Sequence, residues 1–118
     1  MAYTGKIENP RVKYDTTYKS VPVTMPFGEN FRFAFTGRNT SSVTLQLGGG
    51  VAIVDPEGKV VCQEFDWESA PYTGANGTHD FSFPKVYTWK TIPVDKYGTW
   101  RAACELWCWD GKTTTKLA

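Results

Sequence analysis

The sequence predicts an all-β protein, an antiparallel β-sandwich of about seven to nine strands with essentially no helix. Three observations carry that expectation. Apolar and polar residues alternate at period two in short runs, most plainly where Phe31, Phe33 and Phe35 interleave with Arg32, Ala34 and Thr36. Turn-forming Gly, Pro, Asn and Asp recur about every ten residues. No stretch keeps a helical apolar period over three turns. Seven Phe, six Tyr and five Trp bury large areas per side chain and favour strands, so a hydrophobic fraction of 41% suffices for one core in 118 residues.

Residues 1–16 are polar and irregular around Pro10 and read as an N-terminal arm, with a short edge strand at residues 11–14. The sandwich domain proper is expected over residues 17–118. Residues 18–25 read as a strand, which Pro22 and Pro26 confine to a sheet edge or stop early. Residues 30–36 form the clearest half-buried strand, and residues 37–42 a polar loop. Residues 43–47 alternate as a strand, and residues 51–54 resume as an apolar run. The three glycines between, Gly48 to Gly50, predict a bulge or a corner where the strand changes sheet. Asp55-Pro-Glu-Gly58 carries type I turn chemistry, with Asp at i, Pro at i+1 and Gly at i+3. Residues 59–65 are the return strand, residues 66–78 a long loop, and residues 78–83 a strand ended by Pro84. Residues 86–92 alternate again.

The chain is built around residues 94–109. Here Trp100, Ala102, Cys104, Leu106 and Cys108 share one strand face and are assigned to the core. Arg101, Ala103, Glu105, Trp107 and Trp109 share the other. Asp110-Gly111 is a hairpin signal, and residues 112–117 form the last strand.

Three motifs follow one another in a suggestive order. Asp95-x-x-Gly98-x-Trp100-x-Ala102 opens the tryptophan-rich strand, preceded by the hairpin Val51-Ala-Ile-Val-Asp-Pro-Glu-Gly-Lys-Val60 and by Phe81-Ser-Phe-Pro84. Together they resemble the immunoglobulin-like β-sandwich superfamily, in particular its fibronectin-III-like and macroglobulin-like domains. Trp100 falls where that superfamily's corner tyrosine sits, and Ala102 where its strand-F cysteine does. With no cysteine at Ala102 or in residues 30–37, the inter-sheet disulfide of antibody domains cannot form. Trp100 lacks a hydroxyl, so the corner hydrogen bond is expected to be lost. The resemblance implies a fold and a tendency to bind or assemble, and no reaction.

The charge balance excludes several classes of function. Thirteen basic and twelve acidic residues leave a net charge of +1 without any like-charge run, which does not suit nucleic acid. No apolar run approaches the ~20 residues of a membrane span, and the opening residues lack the apolar stretch of a leader. Membrane insertion is therefore not expected. A place outside the cell or in a particle is favoured over the cytoplasm.

Catalysis and cofactors are not expected. His79 is the only histidine and reads as a surface residue. Gly111-Lys-Thr113 has Leu106 where a phosphate loop needs its first glycine, and it opens no helix. Asp66, Glu68 and Asp80 could seed a weak calcium site around the long loop; the competing reading is solvated turn carboxylates. Cys104 and Cys108, four residues apart on one strand, are too distant to bridge at about 3.4 Å per residue. A disulfide from Cys62 to either one stays open, beside three buried thiols acting as small hydrophobes. Asn39-Thr-Ser41 and Asn76-Gly-Thr78 match the N-glycosylation pattern.

The informative anomaly is Trp107 and Trp109, side by side on the face of a strand turned away from the core, along with Arg101 and Glu105. Three coverings fit: the N-terminal arm through Tyr3, Ile7, Val12 and Tyr14; a second protein chain; or a sugar stacked on the rings. The leading expectation is a non-catalytic assembly module that contacts itself or another protein in a homo-oligomer or larger particle. Such contacts would use Trp107 and Trp109, the edge near residues 17–25, or the arm. The alternative is a carbohydrate-binding module using Trp107, Trp109 and Trp89.

Overall fold

The alternation in the phenylalanine strand does what a half-buried strand requires. Phe31, Phe33 and Phe35 are buried on one face of β3 (Asn30–Asn39), where Phe35 packs against Phe81 and Phe83 with ring centroids 5.4 and 6.2 Å apart. The computed structural model describes residues 2–85 and 90–118. It is all-β: nine strands form two antiparallel sheets packed as a β-sandwich, with no helix among the described residues. Among the described residues no helix is therefore long and apolar enough to cross a membrane.

The first sheet runs β2 (Tyr18–Ser20), β1 (Gly5–Lys13), β3, β6 (Thr78–Phe83), and β7 (Ile92–Pro93) pairs with the start of β3. The second runs β5 (Val60–Trp67), β4 (Gln46–Val54), β8 (Arg101–Trp109), β9 (Thr114–Lys116). Between them lies one apolar core, in which Leu47, Ile53 and Leu106 of the second sheet meet the phenylalanines of the first.

Several elements differ from the sequence reading. The expected short edge strand at residues 11–14 belongs to the nine-residue β1, which lies between β2 and β3. Its pairing with β3 shifts register between Glu8 and Arg11, where Asn9 takes a positive φ of 50° and Pro10 offers no N–H. Period-two alternation is broken there, which hid the strand. The strand expected over residues 18–25 keeps only its first three residues, at the sheet edge, because Pro22 and Pro26 flank a stretch outside any ladder.

The glycines at 48–50 make neither a bulge nor a corner. β4 runs straight through them, paired without a shift to β5 on one side and β8 on the other; the irregularity comes later, at Ile53 and Val54. The glycines leave room for side chains. A Cβ on Gly49 would sit 2.6 Å from Cγ of Phe81, and one on Gly37 would sit 2.6 Å from a methyl of Leu106. Each sheet thus pushes one bulky side chain onto a glycine of the other, and the sheets close up at that point. Of the strand expected over residues 86–92, residues 86–89 lie outside the described part.

Two turns behave as their residues demand. Oδ1 of Asp55 accepts the N–H groups of Glu57 and Lys59, both at 2.9 Å, and Gly58 takes a φ of 86°. Oδ1 of Asp110 accepts those of Lys112 and Thr113, both at 2.8 Å, before Gly111 at φ 97° lets the chain reverse. These bonds hold both carboxyls below their ordinary range, with help from Lys96 at Asp55 and Tyr3 at Asp110.

Candidate functional site

β8 has two different halves. Its assigned core face is right where Leu106 and Cys108 are fully buried, but Cys104 is half-buried and Ala102 is exposed. The cause is the neighbour. β9 pairs with Trp107 to Trp109, and beyond it the backbone N–H of Leu106 donates to the carbonyl of Ala118 at 3.0 Å. Among the described residues, no strand pairs with that edge of residues 101–105. Leu106 spends its N–H and carbonyl on the β9 side, so alternation turns those of Cys104 and Ala102 toward the same, open side.

Below this open edge the sheets splay into a groove of about 1010 Å³. Core side chains form its floor: Val12 and Phe33 from the first sheet, Ile53 and Cys104 from the second. The irregular segment 21–27 runs along its far wall, with Val23 and Met25 packed on the core. At one end, the exposed rings of Phe27 and Tyr97 stack at 4.5 Å. Trp100 closes the floor edge-on to Phe31 at 5.7 Å, and its indole N–H donates to the carbonyl of Lys96 at 3.3 Å. Trp100, without a hydroxyl, thus still ties its ring to the backbone four residues upstream.

The outer face of the second sheet carries the other candidate. Trp107 is half-buried and Trp109 is 36% exposed. The indole nitrogen of Trp107 is buried with no hydrogen-bond partner among the described residues. Gly48 pairs with Trp107 on one side and Trp67 on the other, so both tryptophans lie on the same face. Phe65 joins them, edge-on to Trp67 at 5.1 Å, and both of those rings lie over Gly48. Phe65 and Trp67 were missed in the sequence; their spacing of two, opposite a glycine-rich strand, is the signal that finds them. The arm does not cover this face. Val12 is buried in the core, and Tyr3, Ile7 and Tyr14 pack against that core. Arg101 and Glu105 lie on the tryptophan side of β8, at the open edge, and Trp89 falls outside the described residues.

The remaining predicted residues are structural or dispersed. All three cysteines are free. Cys62 pairs with Ile53 on one side of β4, while Cys104 and Cys108 pair with Val51 and Leu47 on the other. A whole strand separates them, roughly 9–10 Å, beyond disulfide reach. Burial pushes the Cys62 and Cys104 thiols up to about 11, with the charge of Glu64 adding to the effect at Cys62. The three calcium candidates are not brought together. Asp66 lies on β5 facing Lys85 at 3.9 Å; Asp80 lies on β6, bonded to Thr36 at 2.7 Å and 3.5 Å from Arg11. Glu68 is buried, and its carboxylate accepts the N–H of Leu47 at 2.7 Å and both donors of Thr73. Among the described residues no three acidic, histidine or cysteine side chains cluster as metal ligands. His79 edges onto Phe81 at 4.8 Å, with Nδ1 3.8 Å from Glu68. Asn39 is fully buried, and its amide donates to the carbonyls of Val43, Thr73 and Gly74, so it is closed to glycosylation. Asn76 is exposed.

No protein-family model matches the chain, and neither a curated protein nor a solved structure matches it.

Proposed function

We propose that this chain is a non-catalytic assembly module that makes protein–protein contacts through the apolar groove between its two sheets. One observation carries the reading: core residues line a groove of about 1010 Å³ that runs to the exposed, stacked rings of Phe27 and Tyr97.

The finer fold assignment belongs to the same proposal. The order β1-β3-β6 against β5-β4-β8-β9 corresponds to strands A-B-E against C′-C-F-G of immunoglobulin-like domains, which supports membership of that superfamily. Such domains commonly serve in adhesion and assembly, which fits the reading without requiring it.

Sedimentation equilibrium tests the proposal. The wild-type chain should gain mass with concentration, and Ala102→Lys should stay monomeric. Because Ala102 is exposed, that variant should lose no more than about 0.5 kcal/mol of stability. A wild-type chain that remains monomeric at high concentration removes the proposal.

A second reading rests on the outer face, where Phe65, Trp67, Trp107 and Trp109 offer ring surface beside a glycine floor. Flat aromatic surface of this kind suits the apolar faces of pyranose rings, which supports carbohydrate binding. Titrating tryptophan fluorescence with a panel of soluble polysaccharides decides it; a flat response throughout discards the sugar.

A further inference from the structure

At a surface separate from the groove, we infer that the outer face of the first sheet docks an acidic segment of a partner protein, at Lys13 and Arg32. Strand register sets the charges of this face. Val12 and Phe33 pair and point into the core, so their neighbours Lys13 and Arg32 pair on the outside. The same parity turns Lys6, Arg11 and Arg38 outward, against two carboxylates, Glu8 and Asp80. Both carboxylates are spent within the face. Glu8 accepts from Arg38 at 2.9 Å and lies 3.2 Å from Lys6, and Asp80 lies 3.5 Å from Arg11. Lys13 and Arg32 are left directly opposite one another, and neither forms an ion pair among the described residues. Like charges placed so work against the sheet.

The two cations are held in place without being neutralised. The ammonium of Lys13 lies 5.6 Å from the centre of the Tyr18 ring, and the guanidinium of Arg11 lies 5.3 Å from it. The Tyr18 hydroxyl comes within 3.4 Å of Oγ of Ser82 on β6, so the ring reaches across β1 and β3, above the fully buried Ala34. Arg32 donates one N–H to the carbonyl of Pro84, an uncharged partner. A surface that orders two like charges and leaves both unpaired suits an anion brought from outside. The sequence of rows along the face limits what brings it. Next to the Lys13–Arg32 pair stands the row of Arg11 and Ala34; then come Glu8, Thr36 and Asp80, and only beyond them Lys6 and Arg38. Those carboxylates interrupt the continuous basic track that a nucleic acid follows. A segment carrying a few Asp or Glu side chains fits within the first two rows.

The probe is a fluorescently labelled oligoglutamate peptide. Its anisotropy at about 50 mM salt should report binding to the wild-type chain that weakens as salt is raised. Lys13→Glu and Arg32→Glu should each weaken binding at least about tenfold, and Lys13→Arg should retain it. Lys59→Glu makes the same charge change on the β4–β5 hairpin and should alter binding less than about twofold. Stability should move the opposite way. Lys13→Glu sets a carboxylate opposite Arg32, so its urea midpoint at low salt should rise while its binding falls. None of these positions lines the groove, so self-association should be the same in every variant. No binding to wild type, or an equal loss in Lys59→Glu, overturns the site. A lower urea midpoint in Lys13→Glu also overturns it, because Lys13 would then serve the fold. Tighter binding of a heparin fragment or a single-stranded oligonucleotide than of the peptide overturns the acidic protein segment as the occupant.

Discussion

A ring needs empty space, and in this sandwich the space comes from glycine. Gly49 lies beneath the Cγ end of the Phe81 ring, and Gly37 lies beneath a terminal methyl of Leu106. The two sites differ in what can yield. A methyl at Gly49 meets three ring atoms at 2.6–2.8 Å, and a buried ring cannot step aside without moving its sheet. A methyl at Gly37 meets one terminal methyl of Leu106 at 2.6 Å and only then a Phe81 ring atom, at 3.2 Å, so a small rotation of the leucine relieves most of the overlap. Gly49→Ala should therefore cost about 3 kcal/mol and Gly37→Ala about 1 kcal/mol, read as shifts of the urea midpoint at unchanged m-value. The sequence displays these glycines but not the rings above them, because Phe81 and Leu106 arrive from other strands. Asn39 teaches the same lesson. Its loop pattern reads as a glycosylation site, yet its amide is spent on the carbonyls of Val43, Thr73 and Gly74. Local pattern announces polar groups; only the fold tells which backbone they serve.

Among the elements, those with unbroken alternation were legible and those interrupted by Pro or Gly were not. β3, β6 and β8 stand where period two puts them, and the Asp55 and Asp110 turns follow from side-chain oxygens capping their own backbone. β1 was hidden by its irregularity at Asn9 and Pro10, and the continuity of β4 by three glycines. The candidate site divides in the same way. Trp107 and Trp109 could be read as a pair on an outer strand face, and Arg101 and Glu105 as their companions. Phe65 and Trp67 become their neighbours only once β5 and β8 flank the same glycines. The pairing of β8 belongs to the assembled sheet in the same way: β9 pairs with Trp107 to Trp109, and Leu117 and Ala118 bond to Leu106. The Ala102→Lys experiment probes β8 directly, since it sets a charge among the groove-lining side chains while leaving the intrachain ladder intact.

For the whole molecule, burial of the thiols gives a dependence on alkaline pH. Cys62 and Cys104 hold their protons up to about 11 in the folded chain, against 9.0 for an ordinary thiol. The unfolded chain gives up those protons first as pH rises. Their contribution to stability is therefore complete below about pH 9 and is lost progressively toward about pH 11. Urea midpoints should fall across that window, and the fall should be shallower in Cys104→Ala; an equal slope in the variant would show that other groups govern it. A chain with a net charge of +1 has little long-range repulsion to keep copies apart. Side-chain alternation and turn chemistry, both local, were enough to make this an all-β sandwich with phenylalanine and leucine at its centre. They could not say which strand would lack a neighbour, which glycine would hold a ring, or which cysteines would be kept apart by an intervening strand. Those outcomes depend on residues distant in the chain meeting across a sheet or between sheets, and pairing order and register exist only once the strands have come together.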